Sequence, residues 1–214
     1  MERLKRWVIR LGHRIPDRWT SRARALRAFQ RRMRLANLYR QDMALWRVEK
    51  ARDLGVVVGS GCRFFSLNFQ SEPYLIEIGD DVIISGEVIL VTHDGGVSIL
   101  RKDVPGINGQ YGRIKIGNNC FIGMGAIIMP NVELGDNTIV SAGSVVYDSF
   151  PPNSVVMGNP ARFAFGLELY RKMKLSSPYT IVDERYPFPL EYPPADLIER
   201  MKKLPLRKPK RRTE

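Results

Sequence analysis

The segment LVTHDGG at residues 90–96 carries one of only two histidines in the chain. His93 follows a run of regularly spaced aliphatic residues and is flanked by Thr92 and Asp94. Imidazole titrates near ~6.5, so at neutral pH it is mostly unprotonated and can take a proton from a reacting hydroxyl. No serine or cysteine stands in a nucleophile signature. Cys62 and Cys120 lie in no CxxC pair and beside no histidine. Neither a metal site nor a disulfide framework is expected, and both cysteines read as small buried side chains in a reducing compartment. The chemistry offered is proton transfer by one imidazole. His13 lies in a basic N-terminal segment and reads as an exposed helix or turn residue.

The element that must position His93 is a repeat. From Ile116 the chain divides into blocks of six: IGNNCF, IGMGAI, IMPNVE, LGDNTI, VSAGSV, VYDSFP. The first position is aliphatic in every block, the second is mostly Gly or small, and the fifth is mostly small or β-branched. The frame returns upstream at Ile78, Ile84 and Leu90, and VGSGCR at Val58 looks like another copy. A period of six is neither the 3.6 of a helix nor an unbroken strand alternation. It suits a short strand, a corner and another short strand, with the aliphatic residue inward and the small residue next to it permitting the turn at positive φ. Stacked coils of this kind form a parallel β-helix, in which each unit buries its core only against its neighbours. Spacing alone leaves the handedness open.

The repeat, with the TH-D segment, a long loop and the ending PPNSVVMGNPAR, resembles the hexapeptide-repeat acyltransferases over residues 55–165. The similarity is strongest to their sugar and polysaccharide O-acetyltransferase branch. The resemblance implies a left-handed β-helix with three hexapeptides per coil and a homotrimer with donor grooves between subunits. It further implies acetyl-CoA as acyl donor, no metal, and a sugar or glycan acceptor. Residues 94–113, DGGVSILRKDVPGINGQYGR, break the frame, which resumes near Ile114. An excursion of this length from a solenoid costs entropy and adds little core, which marks it as functional. In the family, His93 corresponds to the base that deprotonates the acceptor hydroxyl, and the loop reaches over a neighbouring subunit. Asp94 either orients His93 or turns the chain, and Glu72 in the insertion QSEPY is a second candidate for orienting it. Asn68 resembles an acceptor-binding asparagine across a gapped alignment. Toward the donor, Ala142 and Met124 match family contacts, and Gly123 and Gly143 either keep a groove shallow or serve the corners. Arg162 matches a residue that meets nucleotide phosphates. Relatives often read Thr-Lys where this chain has Tyr147-Asp148, so an acid stands where a lysine is expected. Tyr147 is a candidate to stack on adenine.

Charge divides the chain into three parts. Residues 1–52 hold 16 basic and 4 acidic side chains, a net of +12; residues 200–214 carry +7, and the intervening 53–199 carry −7. The boundaries expected are a basic helical segment 1–54, the β-helix 55–165 with its loop 94–113, and a tail 166–214 of helix, Pro-rich extension and basic end. Residues 1–15 read as an amphipathic helix with Leu4, Trp7, Val8, Leu11 and Ile15 on one face, and a second helix is expected from about 21 to 52. Such a helix either packs on the β-helix or lies on an anionic membrane surface. Nucleic acid is not an expected partner, because no recognised binding fold accompanies the charge. No apolar run reaches the ~18–20 residues of a membrane span, and residues 1–15 lack the pattern of a signal peptide. The expected location is cytoplasmic, with peripheral membrane contact as an option.

The favoured reading is an acetyl-CoA-dependent O-acetyltransferase acting on a sugar hydroxyl of a surface polysaccharide or its precursor, by direct attack in a ternary complex. An N-acyltransferase for an amino sugar uses the same base and donor and stays open, as does a non-catalytic β-helix scaffold. A carbonic anhydrase built on the same coil needs three histidines at a metal, and the repeat region has only His93.

Overall fold

The computed structural model describes residues 43–183 and 194–206. The helix expected at residues 1–15, most of the second helix and the basic end at 207–214 lie outside the described residues. Short strands of two or three residues recur along the repeat and stack in parallel into three sheets, the faces of a prism. The first face holds Val57–Val58, Ile76–Ile78, Ile114–Ile116 and Glu133–Leu134. The second holds Arg63–Phe64, Ile83–Ile84, Phe121–Ile122, Ile139–Val140 and Ser154–Gly158. The third holds Ile89–Leu90, Ile127–Ile128 and Val145–Val146, with Asn68 bridging to Ile89.

Register explains the period. Ile78 pairs with Ile116 and Ile116 with Leu134; Ile84, Ile122 and Val140 form a second column; Leu90, Ile128 and Val146 form a third. Each column is a stack of first-position aliphatics, all at most 3% exposed. The residue two places earlier also points inward, so Ile114, Cys120, Ala126, Val132, Thr138 and Ser144 are buried as well. Thr138 and Ser144 are satisfied there, Thr138 Oγ1 by donating to Gly135 O (2.6 Å) and Ser144 Oγ by accepting from Gly158 N (3.2 Å). Cys62 and Cys120 are free and buried, and burial pushes both thiols above their ordinary range.

The corners differ from the sequence expectation. Positive φ falls at the fourth position of the block, not the second: Asp81, Glu87, Asn119, Asn131, Asn137 and Asn153 all lie between 53° and 67°, and Gly61, Gly125 and Gly143 occupy equivalent places. Asn is tolerated there because its short polar side chain bonds locally. Asn119 Nδ2 donates to Asn137 Oδ1 (2.7 Å), and Asn137 Nδ2 to Asn153 Oδ1 (3.0 Å), forming a ladder along one edge. The second-position glycine serves close stacking instead. A Cβ on Gly123 would lie 2.5 Å from Ala142 N, and one on Gly117 2.7 Å from Asp136 N.

Both ends of the stack are covered. Residues 43–53 are helical and bury Ala44, Val48 and Ala51, the latter two within the same core as the first coil. Arg52 from this helix donates to Val58 O (3.1 Å) and to Gly59 O. At the far end Ala161–Gly166 turns back antiparallel on Ser154–Gly158, ending the parallel ladder. The helices Leu167–Leu175 and Ala195–Lys202 follow. No helix among the described residues is long and apolar enough to cross a membrane.

Candidate active site

His93 leaves the prism at the edge between the third and first faces. Leu90 pairs with Ile128 across 38 residues, where the neighbouring coils repeat every 18 (Ile128 to Val146). The extra residues therefore leave and return without disturbing the register. They are ordered at their base. His93–Asp94 pairs antiparallel with Gln110–Tyr111, and Gly112 N donates to Thr92 O (2.8 Å). Beyond this ribbon Gly95–Lys102 forms a 3-10 helix.

Glu72 meets this ribbon from the coil before. It precedes a short 3-10 turn, Pro73–Leu75, in the insertion that interrupts the first coil. Its side chain is buried, and Oε2 accepts from Thr92 Oγ1 (2.7 Å) and from His93 Nδ1 (2.8 Å). Those contacts, the Thr92 hydroxyl foremost, hold its carboxyl below the ordinary carboxylate range. Glu72 is thus ionised at neutral pH and can only accept. In the neutral ring the proton then sits on Nδ1, and the Nε2 lone pair is free. The His93 side chain is 31% exposed, against 11% for Glu72. The acid is withdrawn and the ring is reachable. The ring of Tyr111 lies alongside, its centroid 6.3 Å from that of His93.

Asp94 does not orient His93. Its Oδ1 accepts from Gly96 N (2.7 Å) and caps the 3-10 helix of the loop. The carboxylate that contacts the ring comes from 21 residues upstream.

His93 and Glu72 line a cavity of about 220 Å³ together with Ser71, Arg101, Asn108 and Tyr111. Asn68 does not line it; that residue is exposed on the preceding coil, where its carbonyl accepts from Leu90 N (2.9 Å). Ser71, Arg101, Asn108 and Tyr111 had no signal in the periodicity. Proximity of Ser71 to Glu72 in QSEPY, and the position of the other three inside the frame break, are the only clues to them.

The residues matched to the donor lie on another edge. Gly123, Met124, Ala142 and Gly143 turn the corner between the second and third faces, tied by Gly125 N to Gly86 O (3.0 Å) and Gly143 N to Met124 O (2.8 Å). Met124 is 60% exposed, and no protein atom lies within 4 Å of where a Cβ on Gly125 or Gly143 would stand. Beside the Met124 side chain the backbone at Gly125 and Gly143 is uncovered. The third face separates it from His93 within one chain. Arg162 sits past Gly158 at the end of this region, and its Nη1 donates to Asp148 Oδ2 (2.8 Å). Both partners are about two-thirds exposed, so the pair contributes little stability and is open to exchange. Tyr147 is exposed beside Asp148. Among the described residues no group of three His, Cys, Asp or Glu side chains is disposed to hold a metal ion.

The chain is a stacked prism of six-residue blocks with one imidazole held by a buried carboxylate at the base of a loop. Residues 113–148 match the family described as bacterial transferase hexapeptide (six repeats). The chain is 48% identical over 136 residues to Protein CapG of Staphylococcus aureus, covering 62% of this chain and 78% of that protein. It is 41% identical over 106 residues to the galactoside O-acetyltransferase of Escherichia coli (strain K12), covering 47% and 50% respectively. To the putative lipopolysaccharide biosynthesis O-acetyl transferase WbbJ of the same organism it is 30% identical over 119 residues, covering 49% and 60%. The chain belongs to the hexapeptide-repeat transferase family and is an acyltransferase.

Proposed function

We propose that the protein transfers an acetyl group from acetyl-CoA to a sugar hydroxyl of a surface polysaccharide or its precursor. The observation that carries this reading is the Thr92–Glu72–His93 arrangement, in which Glu72 holds Nδ1 of a part-exposed ring and the neutral ring keeps Nε2 for the acceptor proton. Relatives named for galactoside and lipopolysaccharide O-acetylation support the acceptor class. Acetyl-CoA supplies the activated thioester. His93 Nε2 removes the acceptor hydroxyl proton as that oxygen attacks the thioester carbonyl; the new C–O bond forms, the C–S bond breaks, and His93 returns the proton to the departing sulfur. Thr92 and Glu72 fix the ring, as the carboxylate does in other base-orienting arrangements.

The donor edge made by Gly123, Met124, Ala142 and Gly143 fits the pantetheine arm, with Arg162 and Tyr147 assigned to the nucleotide end. That edge and His93 lie on opposite sides of the third face in one chain. The reading therefore requires assembly, with His93 of one protomer facing the donor edge of the next. A homotrimer of left-handed prisms meets that requirement.

The test is release of free thiol from acetyl-CoA in the presence of sugars, nucleotide sugars and lipid-linked glycans. His93→Ala is expected to lower turnover about 10²–10⁴-fold while leaving the fold unchanged by circular dichroism. Turnover equal to wild type in that variant sinks the base assignment. A chain that neither releases thiol nor binds acetyl-CoA sinks the function.

A further inference from the structure

The cavity at His93 holds one cationic side chain, and its charge is unspent. Arg101 stands in the last turn of the 3-10 helix Gly95–Lys102 and lines the cavity with His93, Glu72, Ser71 and Asn108. Two carboxylates line the same cavity, and both are engaged elsewhere. Glu72 Oε2 takes Thr92 and His93, and Asp94 Oδ1 takes Gly96 N. Neither forms an ion pair with Arg101, and among the described residues its guanidinium has no ion-pair or hydrogen-bond partner. Three other arginines are matched, Arg113 to Glu77, Arg162 to Asp148 and Arg200 to Asp183, and Arg171, exposed and unmatched among the described residues, lies outside this cavity; what sets Arg101 apart is that it lines the cavity with His93.

A guanidinium offers five donors in a planar fork that fits a carboxylate or phosphate bidentately. Placed in a concave site with those donors free, it favours an anion and gains little from a neutral hydroxyl. The cavity thus combines a base for one hydroxyl with a receptor for one oxyanion. Arg101 and His93 line the same cavity, so one bound molecule can meet both.

We propose that the acceptor is an anionic sugar, its carboxylate or phosphate held by Arg101 while a hydroxyl of the same molecule meets His93 Nε2. This inference rests on the assignment of the cavity as the acceptor site. Arg101 is then the residue that sets acceptor specificity, and a neutral hexose is a poor acceptor because it leaves the fork unmatched.

The experiment is calorimetric titration of the full chain with four matched ligands: a neutral hexose, the corresponding hexuronate, its methyl ester, and the hexose 1-phosphate. One or both anions are expected to bind about ten- to a hundredfold more tightly than the neutral sugar and the ester, the range of a charge-assisted hydrogen bond. The hexuronate and phosphate arms identify which oxyanion is preferred. Arg101→Gln should abolish the preference, and Arg101→Lys should retain part of it. Equal binding of all four ligands, no binding of either anion, or a preference that survives Arg101→Gln overturns the proposal. So does an Arg101→Gln variant that loses affinity for acetyl-CoA and not for the sugar. Failure of the acetyl-transfer reading shows separately: the wild-type chain then neither releases thiol nor binds acetyl-CoA, whatever its preference among the sugars.

Discussion

Replacing Glu72 with Gln isolates what the buried carboxylate does for His93. The substitution keeps size and shape but adds an N–H donor where only acceptors stood. In the native chain Oε2 takes both Thr92 Oγ1 at 2.7 Å and His93 Nδ1 at 2.8 Å. An amide oxygen can still accept both, but the amide nitrogen can equally face Nδ1 and donate to it. In that orientation the ring proton moves to Nε2, and the base is lost. Base catalysis is worth about 10²–10⁴-fold, and loss of the orienting carboxylate in a comparable arrangement costs on the order of 10⁴. Because the amide retains one productive orientation, kcat for thiol release should fall about 10²-fold, with KM for the acceptor little changed. The chain has only two histidines, so side-chain ¹⁵N spectra with a His13 variant as reference assign His93 directly. They should show Nδ1–H in the wild type and a mixture in Glu72→Gln. The same group makes a pH prediction. Its folded-state pKa lies below the unfolded value. Its contribution to stability is therefore complete above the ordinary carboxylate value of about 4.3 and is lost as pH falls through the lower folded value. The difference in Tm between wild type and Glu72→Gln should shrink as pH falls below about 4.3. A variant with wild-type kcat and an unchanged ¹⁵N spectrum would refute the orienting role.

Three further outcomes test the structure. Asp94→Asn keeps the acceptor that caps the loop helix through Gly96 N, so kcat should stay within about threefold of wild type; a loss as large as that of Glu72→Gln would move the orienting role to Asp94. Asn137→Ala removes two ladder bonds and places a Cβ residue at φ 59° without local polar support, which should cost roughly 2–4 kcal/mol in denaturant unfolding, with Asn137→Gly losing about 1 kcal/mol less. Gly123→Ala pushes a methyl against Ala142 N; it should lower stability by about 1–3 kcal/mol and weaken acetyl-CoA binding in the same variant, read by thermal unfolding with and without donor.

The prism was legible because its cause is local and repeated. Each block sets an aliphatic at one position and a small or β-branched residue two places before it, and stacking turns that pattern into columns such as Ile84, Ile122 and Val140. Even the loop announced itself, since residues 94–113 break a frame that then resumes at Ile114. The second-position glycine reads in the sequence as the corner residue, whereas positive φ falls two places later. A glycine signals either backbone freedom or close approach, and only the φ values and the nearness of the next coil separate the two.

Of the residues that line the candidate cavity, the sequence singles out His93, Glu72 and Asp94, and leaves open which carboxylate meets the ring. Asp94 is adjacent in sequence and bonds its own loop; Glu72 is 21 residues away and one coil below, and stacking brings its oxygen to Nδ1. Arg101, Ser71, Asn108 and Tyr111 stand outside the repeat, where no period says which way a side chain points. A six-residue pattern determines a coil by itself, because each turn of the chain meets a nearly identical turn. What the coil carries at its edges depends on contacts between residues far apart along the chain, and those exist only once the coils are stacked.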